Sequence, residues 1–233
     1  MAEHSLVRRT FWLLRNLPKG ARWWLLKRLM ESRDARMTRL NGALGAPNTR
    51  LVFVCHGNIM RSAFSAQVAR AAVPEHADRI VSTGTHANPG REAEPNALAV
   101  AASLGVDLST HQASSFAGIG LSKSDLVVCM DRANEARVLN YLGQGQRVFL
   151  VGDINELNAW HDLHGAPANT GAGDATAETP SGAPQRAESG GDGREVADPY
   201  GKGFSVTQVA FLRLLSLAQL WARRHFAHSQ AQP

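Results

Sequence analysis

Four short runs rich in β-branched and apolar residues, Leu51 to Cys55, Arg79 to Thr83, Leu126 to Met130 and Arg147 to Val151, alternate with helical patterns at Ser62 to Val73, Glu94 to Leu104 and Arg132 to Leu142. That alternation leaves few architectures open. Strands separated by helices of this length return to the same end of a sheet and so pair in parallel, with helices covering both faces. The expected fold is α/β: a three-layer αβα domain around a four-stranded parallel sheet, with its functional site at a strand's carboxyl end. A last helix is predicted over Phe204 to His225, with Val206, Val209, Ala210, Leu214, Leu217 and Trp221 near one face.

The first run delivers the chain into Cys55-His56-Gly57-Asn58-Ile59-Met60-Arg61-Ser62. A thiol and a guanidinium six residues apart, at a strand end and before a helix, form the layout of a phosphate cradle with a sulfur nucleophile. Gly57 is expected to let the chain turn back, so that the loop amides of His56, Gly57, Asn58, Ile59 and Met60 point inward as an anion-binding nest at the helix start. Only a thiolate attacks phosphorus, so helix amides and a nearby Arg would have to stabilise the anion. Arg61, planar and always charged, can grip two phosphoryl oxygens as charge moves onto them. Ser62 can donate a hydrogen bond to the sulfur, as attacking and then as leaving group. The bland alternative is a buried strand-end Cys beside an unrelated helix Arg.

With this loop the chain resembles the low-molecular-weight protein tyrosine phosphatases, whose loop reads approximately C-x-G-N-x-C-R-S-P. The resemblance continues through Ser82-Thr83-Gly84-Thr85, Gly105-Val106-Asp107-Leu108-Ser109, His111 and Asp125-Leu126-Val127-Val128-Cys129-Met130-Asp131, and ends with Asp198-Pro199-Tyr200 and a final helix. It implies a phosphotyrosine phosphatase I-like fold and hydrolysis of phosphotyrosine in a protein substrate through a cysteinyl phosphate. Cys55 would be the nucleophile, Arg61 the phosphate clamp and Asp198 the general acid and then base. The resemblance further implies that Asn58, Ser82 and His111 brace the loop and that Tyr200 is an aromatic wall for the substrate ring. No cofactor is implied, and no ligand cluster suggests a metal. Related loops reduce arsenate or act on phosphoarginine, and a phosphate-binding adaptor without turnover is the reading from a different class.

Several positions depart from the family pattern. Met60 stands where many relatives keep a second Cys, so Cys55 has no adjacent thiol, and Cys129 reads as an inert core residue. Ala63 replaces the usual Pro. Relatives acting on phosphoarginine tend to carry Thr at the position of Ile59, so Ile59 leans toward phosphotyrosine. His56 takes a position that is apolar or Thr in many relatives, lining the pocket or facing water. The aromatic expected after Thr85 is missing, with His86-Ala87-Asn88-Pro89 in its place.

Charge divides the chain. Residues 1–49 hold ten Lys and Arg against three Asp and Glu, and the remainder hold fifteen against seventeen. Leu6 to Leu17 and Ala21 to Met30 look like two helices parted by Pro18-Lys19-Gly20, with Trp12, Trp23 and Trp24 among Arg and Lys. Such an extension fits peripheral contact with an anionic membrane, or packing on the catalytic domain or a second subunit; nucleic acid is not expected. Residues 50–226 read as the catalytic domain, interrupted over 165–193 by a Gly-, Ala-, Pro-, Ser- and Thr-rich stretch expected to be a disordered insertion, and residues 227–233 as a disordered tail. Two Cys exclude a disulfide framework, no cleavable signal peptide stands out, and the apolar runs are shorter than a membrane span; the expected location is cytoplasmic, open to the inner membrane surface.

Overall fold

A computed structural model describes residues 31–143, 145–164 and 193–227. The two predicted helices of the basic extension, the insertion as far as residue 192 and the tail from residue 228 lie outside the described residues. In chain order the elements are α1 (Arg33–Ala43), β1 (Leu51–Cys55), α2 (Arg61–Ala72), a 3-10 turn (Pro74–Arg79), β2 (Ile80–Gly84), α3 (Pro95–Ser103), β3 (Leu126–Cys129), α4 (Arg132–Leu142), β4 (Val148–Leu150), α5 (Asp153–His164) and α6 (Phe204–Phe226).

The four strands form one parallel sheet in the order β2-β1-β3-β4, with Cys55 opposite Gly84 on one side and Val54 opposite Cys129 on the other. Every residue of β1 is buried, as a central strand covered on both faces requires. Alternate residues feed two cores. Leu51, Phe53 and Cys55 join the cluster made with α1, α2, α3, α5 and α6, whereas Val52 and Val54 join Val127, Cys129 and Leu150 beneath α4. Connections leave β1 and β3 in opposite directions across the sheet, which opens a crevice at their carboxyl ends. Cys55 ends β1 at that crevice.

Local chemistry sets the helix limits. Asp131 accepts a hydrogen bond from Asn134 N–H at 2.8 Å at the start of α4, and Gly143 closes it at φ 69°. On α6, Phe211 stacks on Phe64 of α2 with ring centroids 4.1 Å apart, and Trp221 Nε1 donates to Val151 O at 2.7 Å. The predicted face of α6 is corrected at its start: Val206 and Val209 are exposed, while Thr207, Phe211, Leu214 and Trp221 are buried. At roughly 100° per residue, the two valines point well away from the Phe211 stack. This helix has the length and composition of a membrane-crossing segment, yet its inner face forms part of the domain core.

Two helices carry the chain around the back of the site. Met37 and Leu40 of α1 are fully buried, and α1 packs on α5 through ion pairs from Arg36 to Asp153 and Glu156 and a hydrogen bond from Trp160 Nε1 to Asp34. Buried Asp153 also accepts Leu150 N–H and pairs with Arg194. Arg194 O in turn accepts Gly152 N–H at 2.9 Å, and Val196 N–H donates to Met130 O at 2.8 Å. A Cβ on Gly152 would lie 2.6 Å from Arg194 Cα, so this approach needs glycine. The segment after residue 193 is thereby tied to the ends of β3 and β4 and carries Asp198 toward β1.

Candidate active site

The loop from Cys55 to Ser62 closes around the sulfur. Asn58 N–H points at Cys55 Sγ from 3.3 Å, and Ser62 Oγ lies 3.0 Å from the same atom. Ser62 Oγ accepts from Asn58 Nδ2 at 3.0 Å and lies 3.3 Å from Thr83 O, so its single proton is shared between that carbonyl and the sulfur. A thiolate would draw the proton to itself. Helix α2 starts at Arg61 with no side chain capping its amino end, leaving its first amides directed at the cradle.

The residue that turns the loop is Asn58, at φ 54°, rather than Gly57. Asn tolerates this left-handed conformation and its side chain uses it. Asn58 Nδ2 reaches Ser82 Oγ at 2.9 Å, its Oδ1 accepts Ser114 N–H at 2.8 Å, and its carbonyl lies 2.6 Å from His111 Nε2. A carbonyl only accepts, so His111 carries its proton on Nε2. Burial pushes the His111 pKa down, with the Asn58 carbonyl opposing and Arg70 adding to the fall. The ring is a neutral donor. Ser82, His111 and Asn58 are therefore joined in one network. Ile59 and Met60 turn their side chains into the apolar core, so only their backbones face an anion.

Arg61 is almost wholly buried. Its Nη1 donates to Asp131 Oδ2 at 2.8 Å and to Val196 O at 2.9 Å, and its Nη2 pairs with Asp198 Oδ2 at 3.0 Å. Arg61 Nε is buried with no acceptor among the described residues, a donor that an oxyanion in the cradle would satisfy. Asp198 itself is partly exposed, and its Oδ1 lies 3.3 Å from Tyr200 N–H. Tyr200 is exposed beside it, and Pro199 between them is buried.

Three contributors were not singled out from the sequence. Asp131 stands there only as the end of the matched stretch from Asp125, yet one of its oxygens caps α4 and the other holds Arg61. Gly84 has ordinary backbone angles, but a Cβ on it would sit 2.6 Å from His56 O and 2.9 Å from Asn58 N. Ser114 lies in a stretch with no pattern at all. A strand-end glycine beside a matched loop was the one available signal.

A buried thiol at the end of a central parallel strand, facing uncapped helix amides and a paired arginine, defines a cysteine-dependent phosphate-site protein of the α/β class. The low molecular weight phosphotyrosine protein phosphatase model matches residues 50–165. The probable low molecular weight protein-tyrosine-phosphatase EpsP of Ralstonia nicotianae is 30% identical over 109 residues, 46% of this chain and 74% of that one. The chain belongs to the low-molecular-weight protein tyrosine phosphatase family. Its fold is also that of the Erwinia amylovora tyrosine phosphatase AmsI, with a TM-score of 0.52 and 24% identity over 76% of this chain and 95% of that one. The YwlE arginine phosphatase shares it at a TM-score of 0.51 and 17% identity, over 75% and 94% of the two chains.

Proposed function

We propose that this protein hydrolyses phosphotyrosine in protein substrates through a cysteinyl phosphate. The observation that carries the reading is the convergence on one loop of Cys55 Sγ, contacted by Asn58 N–H and Ser62 Oγ, with an arginine held between Asp131 and Asp198. In the first half-reaction the Cys55 thiolate attacks phosphorus, the S–P bond forms and the aryl P–O bond breaks. Asp198 gives its proton to the departing phenolate. Arg61 and the loop amides hold the equatorial oxygens, where charge accumulates. Asp198 then takes a proton from water, which attacks phosphorus and frees the thiolate. Tyr200 would stand beside the substrate ring, and no metal enters any step.

Arsenate reduction by a cysteine relay has little support. Cys129 sits opposite Val54 and joins the other core, across the sheet from Cys55. The family setting favours cytoplasmic action on protein substrates. For residues 1–49, burial of Met37 and Leu40 favours packing of their last third on the domain itself. Liposome flotation of the full chain against one starting at Thr49 tests membrane contact.

The deciding experiment compares the wild type with Cys55→Ser and Asp198→Ala on phosphotyrosine peptide, phosphoarginine and arsenate. Turnover of the first, abolished by Cys55→Ser and cut by Asp198→Ala, is the expected result. A wild type that binds phosphopeptide and turns over none of the three is an adaptor.

A further inference from the structure

Two of the departures from the family pattern meet in space. The rings of His56 and His86 stack with centroids 4.4 Å apart and planes 26° from parallel. The contact is fixed by backbone: Thr85 N–H donates to Cys55 O and His86 N–H to His56 O, both at 2.9 Å. The imidazole pair is therefore attached to the nucleophile and its neighbour. Both rings are exposed. From this we infer that the His56–His86 stack, with Arg137 of α4, is a docking site for an acidic side chain next to the phosphotyrosine, so that the enzyme selects acidic phosphotyrosine segments. This inference rests on the phosphotyrosine reading above.

The donor arrangement fits an anion. His86 Nδ1 lies 2.9 Å from Thr85 Oγ1, which leaves Nε2 as the nitrogen open to a ligand. A hydroxyl both donates and accepts, so Thr85 can serve the neutral ring or, turned over, the charged one. Protonation of His86 thus forfeits no hydrogen bond. Burial lowers the His86 pKa, and the charges of Arg137 and His56 lower it further, so the ring is neutral near pH 7 in the free enzyme. A carboxylate brought against it would offset the last two causes and favour proton uptake. A basic residue is repelled by the Arg137 charge and by a protonated ring, whereas a carboxylate is attracted to both. His56 stacks on His86, Thr85 hydrogen-bonds it, and the charge of Arg137 acts on it.

The test measures kcat/KM of the full chain on phosphotyrosine peptides flanked by Glu, Gln or Lys, at pH 6 and pH 7.5, with p-nitrophenyl phosphate as a substrate that has no flanks. The wild type should prefer Glu to Gln by about fivefold or more at pH 6 and by less at pH 7.5, as expected for a few partly exposed charge contacts. His86→Ala and Arg137→Ala should each reduce that preference to within about twofold, with p-nitrophenyl phosphate turnover unchanged. His86→Gln, which keeps a donor but gains no proton, should remove the pH dependence and serves as the readout if the alanine variant folds poorly. Aryl phosphate turnover without a Glu preference, or a preference intact in the His86 and Arg137 variants, overturns this inference alone. No turnover of p-nitrophenyl phosphate by the wild type overturns the phosphatase reading and this inference with it.

Discussion

Asp131 Oδ2 accepts a hydrogen bond from Arg61 Nη1 at 2.8 Å while Asp131 Oδ1 caps α4 through Asn134 N–H at the same distance. One carboxylate thus joins a helix start to the arginine proposed to clamp phosphate. The two roles separate by substitution. Asp131→Asn keeps an oxygen for the cap and loses the charge that orients Arg61; it should lower kcat/KM on an aryl phosphate by about tenfold to a hundredfold, the scale of a small misplacement of a reacting group, with thermal stability close to wild type. Asp131→Ala should add loss of the cap, about 1 kcal/mol, read as a lower urea midpoint. Activity falling only in step with stability would reduce Asp131 to a cap.

The Arg61–Asp198 pair makes a different prediction. A phosphate dianion entering the cradle meets the Asp198 carboxylate 3.0 Å from Arg61 Nη2 and competes with it for the guanidinium. Asp198→Asn should therefore bind inorganic phosphate more tightly by a few-fold and yet lose about a hundredfold or more in kcat on phosphotyrosine, the usual reach of a general acid. The loss should be smaller on p-nitrophenyl phosphate, whose leaving group needs less help from a proton. Equal losses on the two substrates would remove Asp198 from the acid role. Phosphate inhibition constants and kcat values measured side by side decide both points.

Sequence patterns carried the sheet and the cradle because both are local. A run such as Leu51 to Cys55 must be buried on two faces, and Arg132 to Leu142 announces itself by a capping Asp and a closing Gly, so its predicted and observed limits coincide. Helices α1 and α5 were not foreseen. Their apolar stripes are short, Met37, Leu40 and Ala43 on α1 and Ile154 and Leu157 on α5, and they are interleaved with Arg36, Asp153 and Glu156, whose ion pairs show only once the two helices meet. Asp131 holding Arg61 was equally hidden, since a side chain's second oxygen has no signature in a string of residues. The stacking of His56 on His86 needed the β1–β2 register, which pairs Cys55 with Gly84 and so brings two separate oddities together.

Strand register also forecasts the oxidation chemistry. Because Cys129 pairs with Val54, the neighbouring Cys55 projects to the opposite face of the sheet, and the two sulfurs cannot meet without dismantling the central strand. Peroxide treatment should modify Cys55 without forming a Cys55–Cys129 bond, leaving sulfenic or higher acids on the ladder of thiol oxidation. Peptide mapping by mass spectrometry reads the outcome. A thiol-reversible intramolecular crosslink between these cysteines would refute it.

Acid should loosen the chain through His225. Its Nδ1 accepts Gly45 N–H at 3.3 Å and its Nε2 donates to Thr49 O at 3.1 Å, so the neutral ring fastens the segment after α1 to the end of α6. Burial drives its pKa from 6.5 to about 4, against the pull of the Thr49 carbonyl and with help from Arg79, Arg147 and His76. A depressed histidine means that the unfolded chain binds the proton more readily. Stability from this group is therefore full above about pH 6.5 and falls as pH drops toward 4, a loss of about 2 kcal/mol between pH 7.5 and pH 5 by linkage. Protonation also removes the acceptor for Gly45 N–H. Urea midpoints of the wild type should fall over that interval, whereas His225→Gln, less stable at pH 7.5, should show a flatter dependence. Parallel pH profiles for the two proteins would assign the acid sensitivity elsewhere.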